Sequence, residues 1–230
     1  MKYIHQYFKV EQISEENNLI TSKQNKFDNL QSRPAIFFDR DGVLIEDKHF
    51  ISNPNQVQLL SGVKNLLGMA KKSFMATIVV TNQSGISRGY FNWEEYQEVT
   101  LKMLDIIGYP FNIDAIYACG APPINNLSNW RKPNPYMLLE AKERFNLNLD
   151  KSIMIGDRLS DLKAGLNAGV KMVVHLLTGK GRSERSKVIK FFNLSENIVY
   201  YDSHFRMKIN NKNQEILLID NLQDFKVDFL

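Results

Sequence analysis

Five short runs of the chain are apolar almost without interruption, and polar residues close most of them. They are AIFFD (35–39), ATIVVTNQSG (76–85), IDAIYAC (113–119), SIMIGD (152–157) and KMVVHLL (171–177). A strand with one wet face alternates polar and apolar residues; a strand without that alternation is buried on both faces. Between the runs lie stretches with apolar residues at helical spacing. GVKNLLGMAKK (62–72) carries Val63, Leu66, Leu67 and Ala70, and NWEEYQEVTLKMLDIIG (92–108) carries Trp93, Tyr96, Val99, Met103 and Ile107. Asn92 is the expected N-cap of the second and Gly108 its stop. NPYMLLEAKERF (134–145) predicts a helix capped by Asn134 with Pro135 at its first position, and RLSDLKAGLNAG (158–169) predicts another. The alternation predicts an α/β, Rossmann-like three-layer sandwich around a mostly parallel central sheet.

The ends of the chain are less regular. KYIHQYFKV, near the start, reads as a strand or a helix. GKGRSERSK (179–187) reads as a basic solvated loop, 186–213 has no clear pattern, and QEILLIDNLQDF (214–225) reads as a strand with a helical turn. The expected division is an N-terminal extension (1–33), a core (34–185) and a C-terminal extension (186–230) whose last element returns to the core. At 230 residues, 43% hydrophobic and 23% charged, the chain can bury a sizeable core. A net charge of +4 with a pI near 9.0 is mildly basic, but the lysines are scattered, so nucleic acid is not the expected partner. Cys119 is the sole cysteine, which excludes an internal disulfide. No run approaches the ~18 apolar residues of a membrane span. A soluble cytoplasmic protein is expected, without a membrane partner and with its oligomeric state open.

In parallel sheets, ligands bind beyond the carboxyl ends of the strands. Asp39 and Asp41, Thr81 and Asn82, and Gly156 with Asp157 all fall at such ends. Two carboxylates two residues apart are costly unless a cation lies between them. Mg²⁺ takes oxygen ligands from carboxylates, water and phosphate, and Asp157 would supply a further oxygen. Lys132 in RKPNP, the Thr81 hydroxyl and the Asn82 amide would cradle a phosphate. A carboxylate can attack phosphorus and a second can move the proton. Taken singly, Asp39 reads as a turn cap, Thr81 as a strand end, Lys132 as a surface lysine and Asp157 as a helix cap. In this order, each at a strand end or just before a helix, they read as a phosphoryl-transfer site.

The segments DRDGVL, VVTNQSGISRGYF, RKPNPYML and MIGDRLSDLKAG resemble the four ordered motifs of haloacid-dehalogenase-like phosphatases. Over residues 34–180 the chain is similar to the D-glycero-D-manno-heptose 1,7-bisphosphate phosphatases, which are related to the histidinol-phosphatase domain. The resemblance implies that Asp39 is the nucleophile, Asp41 the general acid and base, and Thr81 and Lys132 the holders of the transferring phosphoryl group. It implies Mg²⁺ on Asp39, the Asp41 carbonyl and Asp157, and substrate contacts from Asn82, Ser84 and Arg131. Asp161 is either a support for Lys132 or the metal water, or a surface helix acid. Two departures stand out. Val43 replaces the threonine of the family's Asp-Gly-Thr. Where the family often places zinc-binding Cys and His residues, this chain keeps Cys119 but has Ala121, Ser128 and Trp130, so no structural zinc is expected and Trp130 becomes the candidate loop anchor. The spans 42–79 and 83–130 are too short for a large cap domain. A small phosphorylated sugar, most simply a heptose 1,7-bisphosphate, is the implied substrate. Histidinol phosphate or another small ester, or a nucleic-acid 3′-phosphate, is the alternative.

Overall fold

The computed structural model describes residues 2–6, 9–13, 32–122, 130–194, 204–209, 213–226 and 228. Its strands are β1 (Lys2–Gln6), β2 (Lys9–Ile13), β3 (Ala35–Phe38), β4 (Ala76–Asn82), β5 (Ala115–Cys119), β6 (Ile153–Gly156), β7 (Met172–His175), β8 (His204–Ile209) and β9 (Gln214–Ile219). They make one sheet in the order β2-β1-β5-β4-β3-β6-β7-β9-β8. The run from β5 to β9 is parallel throughout; β1, β2 and β8 join antiparallel at the two edges. The strand carrying the first acid, β3, lies inside the sheet between β4 and β6, and all four of its residues are fully buried. That is why AIFF shows no polar alternation.

Helices cover both faces. α1 (Val63–Lys72) and α3 (Trp93–Ile107) pack with Ile36, Phe38, Val79 and Ile155 on one side. α4 (Tyr136–Phe145), α5 (Leu159–Ala168) and α6 (Gly181–Phe191) pack with Phe37, Val80, Met154 and Val173 on the other. A short helix, α2 (Ser84–Ser87), follows β4 at the functional end. The three layers expected from the alternation are therefore present.

Some expectations are corrected. The segment 179–187 is not a loop: from Gly181 it is the first part of α6, which runs unbroken across residue 185 and buries Val188 and Ile189. Its polar face dominated the sequence signal. α4 begins at Tyr136 with Pro135 at the N-cap position, one residue later than expected. The C-terminal region supplies β9 as a full parallel neighbour of β7 and β8 as the edge. The span between β3 and β4 holds a tight turn bridged at Asp41–Ile45, a single 3₁₀ turn and α1, with no inserted domain.

α3 starts where expected. Asn92 Oδ1 accepts the Glu95 N–H at 2.9 Å and Glu95 Oε2 accepts the Asn92 N–H at 2.8 Å, a reciprocal cap. Asn92→Ala removes it and should lower stability by about 1 kcal/mol. Because Asn92 is exposed and outside the cavity, turnover should stay at the native rate. Urea unfolding followed by circular dichroism checks this, and an unchanged midpoint would count against the cap.

Candidate active site

The site is built on a buried ion network at the carboxyl end of the sheet. Asp39 directly follows β3, and its N–H continues the ladder to Ile155 O at 3.0 Å. Lys132 Nζ lies 3.0 Å from Asp39 Oδ1 and 2.7 Å from Asp161 Oδ1. All three side chains are almost excluded from solvent. Asp161 sits in the first turn of α5, and its other oxygen accepts the Arg158 N–H at 2.9 Å. It is thus no surface acid: it supports Lys132 and starts the helix. Lys132 belongs to a loop, yet Asn82 fixes it from the end of β4. Asn82 Oδ1 accepts the Lys132 N–H at 3.0 Å and Asn82 Nδ2 donates to Lys132 O at 3.1 Å.

Asp39, Asp157 and Asp161 each bring a carboxylate oxygen within 4.8 Å of the others. Asp157 Oδ2 accepts the Lys180 N–H at 2.7 Å, while Oδ1 is buried without a hydrogen-bond partner. Room for this carboxylate depends on glycine. At Gly42 (φ 84°) a Cβ would come within 2.5 Å of Asp157 Oδ2, and a Cβ at Gly179 would collide with the same oxygen. The three acids crowd the Lys132 ammonium, with Arg158 Nε farther off at 4.0 Å from Asp157 Oδ1, and the imbalance shows in their proton affinities. Burial pushes Asp157 up to about 8, with Asp161 and Asp39 adding to it. Burial pushes Asp39 up to about 6 despite Lys132. For Lys132, burial acts downward, but Asp161 and Asp39 more than offset it, so its pKa lies above the ordinary value. A deficit of positive charge, all-oxygen donors and an orphaned buried oxygen fit a hard divalent cation. The Asp41 carboxylate stands outside this cluster; the ligand the resemblance implies from Asp41 is its carbonyl oxygen.

The Asp41 carboxylate is engaged elsewhere. Arg40, fully buried, donates from Nε to Asp41 Oδ2 at 3.1 Å and from Nη2 to Oδ1 at 3.2 Å. Its guanidinium lies 4.8 Å from the centre of the Tyr96 ring. Gln83 Nε2 donates to Asp41 Oδ2 and to Thr81 Oγ1, both at 2.8 Å. Arg40 and Gln83 thus orient Asp41, and the sequence reading passed over both. The available signal was an arginine between two acids at the end of a buried strand, where an unpaired guanidinium is not tolerated.

A cavity of about 560 Å³ opens above this floor, with Asp39, Asp41, Asn82, Ser84, Arg131 and Lys132 in its lining. Thr81, expected to touch the phosphoryl group, is buried and outside the lining; it stands behind Gln83. Arg88, Arg158 and Lys180 also line the cavity, as does Asp47, whose Oδ2 lies 3.8 Å from Arg158 and 3.6 Å from Lys180. Arg131 donates to Ala121 O at 2.9 Å, and its pKa is lowered first by burial and then by the neighbouring Arg158 and Arg88. The preceding Trp130 is buried against Tyr117 with ring centres 5.8 Å apart, the anchor expected from the sequence. Ser128 lies outside the described residues.

The model of the HAD-hydrolase-like family matches residues 129–193. The D-glycero-beta-D-manno-heptose-1,7-bisphosphate 7-phosphatase of Helicobacter pylori is 37% identical over 144 residues, 62% of this chain and 83% of that one. The enzyme of the same name from Haemophilus influenzae is 38% identical over 152 residues, 64% of this chain and 83% of that one. Among solved structures, a HAD-like phosphatase from Mesorhizobium loti matches with a TM-score of 0.60 at 34% identity, covering 63% of this chain and 73% of that one. The D,D-heptose 1,7-bisphosphate phosphatase of B. bronchiseptica, complexed with magnesium and phosphate, shares the fold with a TM-score of 0.65 at 24% identity, covering 82% and 93%. Fold and acidic constellation together define a haloacid-dehalogenase-like hydrolase of phosphate monoesters. The chain belongs to the family of the D-glycero-D-manno-heptose-1,7-bisphosphate 7-phosphatases.

The crowded acids give a stability prediction for the metal-free protein. Asp39 and Asp157 rise from an ordinary 3.8 to about 6 and about 8 on folding, so the folded state holds protons that the unfolded state releases. Their contribution is fully present below about pH 4 and is lost as pH rises through 6 and 8. The gain in melting temperature on adding Mg²⁺ should therefore grow from pH 5 to pH 9. Differential scanning calorimetry with and without the ion measures it; a gain independent of pH would remove the crowding argument.

Proposed function

We propose that the protein hydrolyses a small sugar bisphosphate, most simply a heptose 1,7-bisphosphate, through an aspartyl-phosphate on Asp39 with Mg²⁺ bound. The observation that carries the reading is Asp39 itself. Its Oδ1 is occupied by the Lys132 ammonium at 3.0 Å and by the Arg40 N–H at 2.8 Å, which leaves Oδ2 as the attacking oxygen. Asp39, the Asp41 carbonyl and Asp157, with Asp161 beside them, would hold the ion, which when bound neutralises charge on the phosphoryl oxygens. Lys132 holds the same group from the other side.

In the first step Asp39 Oδ2 bonds to phosphorus and the bond from phosphorus to the sugar oxygen breaks. Asp41, protonated, gives its proton to that leaving oxygen. In the second step Asp41 takes a proton from water as the water oxygen bonds to phosphorus. The acyl phosphate opens, regenerating the Asp39 carboxylate and releasing inorganic phosphate. Arg40 and Gln83 set the direction of the Asp41 carboxylate between steps.

Four cations in the wall, Arg88, Arg131, Arg158 and Lys180, favour a substrate with a second anionic group away from the reacting one. The name of the family's relatives agrees with that requirement. Asp47 Oδ2 already lies 3.8 Å from Arg158 and 3.6 Å from Lys180, so a monophosphate such as histidinol phosphate would leave chiefly Arg88 and Arg131 without an anion from the substrate.

Phosphate release from D-glycero-D-manno-heptose 1,7-bisphosphate, histidinol phosphate and 3′-phosphorylated DNA tests the assignment. The bisphosphate should be preferred at least ~100-fold in kcat/KM, about 2.7 kcal/mol of transition-state binding. Equal rates on all three would sink it. Asp39→Asn should fold and lose turnover by ~10⁴-fold or more, because an amide does not attack phosphorus; native-like turnover in that variant would rule out the covalent route.

Mg²⁺ dependence is the second check. Activity should vanish with a chelator and return with Mg²⁺, and Asp157→Ala should raise the Mg²⁺ needed for half-maximal rate by more than ~10-fold. An unchanged titration curve would reduce Asp157 to a structural residue.

A further inference from the structure

Asp157 is held from behind by a relay that the reaction does not use. His175, the last residue of β7, is fully buried. Its Nε2 lies 3.0 Å from the Asp157 carbonyl oxygen, and its Nδ1 lies 3.0 Å from Arg185 Nε on α6. Arg185 in turn donates from Nη2 to Ile219 O at 2.9 Å, at the end of β9. An arginine Nε–H can only donate, so Nδ1 is the acceptor and the ring proton sits on Nε2. That tautomer can donate to the Asp157 carbonyl, which has only acceptor capacity. Every group in the chain is thus paired in one sense only, running from Arg185 through His175 to Asp157.

The same short segment also controls the Asp157 side chain. After β7 the chain turns through Gly179 and Lys180, and the Lys180 N–H binds Asp157 Oδ2 at 2.7 Å. Thr178 Oγ1 donates to Gly42 O at 2.6 Å, tying this turn to the one after Asp39. α6 starts hard against it: a Cβ on Gly181 would collide with Leu176 O. Peptide and carboxylate of Asp157 are therefore both fixed by residues 175–185. That segment is itself fixed by β9, whose register places His175 opposite Leu218.

We infer that His175, locked in its Nε2–H tautomer by Arg185, is a positioning residue that sets the Asp157 carboxylate for divalent-cation binding, and that docking of β9 through Arg185 is part of the metal site. The inference rests on the reading of Asp157 as a metal ligand. It explains why a strand remote from the cavity carries the acceptor for Arg185. It also gives α6 a role beyond covering the sheet.

Mg²⁺ binding to the substrate-free full chain by isothermal titration calorimetry tests it, with ¹⁵N-imidazole NMR as a second readout. The native protein should bind Mg²⁺ and show the Nε2–H form of His175. His175→Leu should weaken Mg²⁺ binding by ~10-fold or more, and His175→Gln, whose amide can donate to the same carbonyl, should recover most of the loss. Arg185→Leu should weaken binding by several-fold and give a mixture of tautomers at His175; it also serves if His175→Leu does not fold. Native Mg²⁺ affinity in folded Arg185→Leu, or no recovery in His175→Gln when His175→Leu folds, overturns the inference. If the native protein binds no Mg²⁺, the metal-ligand reading of Asp157 fails instead, and the inference falls with it.

Discussion

The arrangement depends on one desolvated ammonium. Lys132 is buried between Asp39 and Asp161, and no single strand or helix contains all three. The desolvation cost of each charge is several kcal/mol, and only close opposite charge offsets it. Removing one partner from such a pair typically costs about 3–5 kcal/mol, because the others remain buried and unmatched. The end of β3, the loop before α4 and the first turn of α5 are therefore held at fixed separation by electrostatics as well as by packing. Asn82 adds the end of β4 by gripping the Lys132 peptide. The parallel sheet brings four chain segments to one edge, and this network sets their distances there.

A second consequence is that the acids divide into two environments. Asp39, Asp157 and Asp161 crowd together with too little positive charge, which favours a cation. Asp41 is turned toward Arg40 and Gln83, where hydrogen-bond donors hold the carboxylate without a metal. One carboxylate suited to attack and another suited to proton movement can then stand two residues apart in sequence. The chemical difference arises from which neighbours the tight turn at Gly42 gives each side chain.

The openness of the cavity belongs to the same design. The connections after β3 and β4 hold turns and helices without an inserted domain, and the wall is made of side chains from turns and helix starts, among them Arg88, Arg131, Arg158 and Lys180. Long cations at such positions keep one end in water and still reach an anion. Among the described residues, no helix is long and apolar enough to cross a membrane.

Much was legible in the sequence. Strands buried on both faces lose polar alternation, so the five apolar runs announced a parallel sheet, and the polar residues after them marked its functional edge. Asp39, Lys132 and Asp157 were identifiable because charge at a strand end or before a helix contradicts its surroundings. Asn92 and Gly108 bounded α3 by local capping chemistry alone. Only the tertiary structure decided matters set by residues distant in sequence. Asp161 was ambiguous because its partner Lys132 lies on another loop. Arg40 and Gln83 gained their role from the packing of β3 against β4 and α3. The stretch 179–187 is polar enough to read as a loop, yet Val188 and Ile189, just beyond it, hold it in a helix against the sheet. Local spacing records which groups are chemically unusual; which of them meet is fixed by the register of strands and the exclusion of water between them, and neither is written in any one segment.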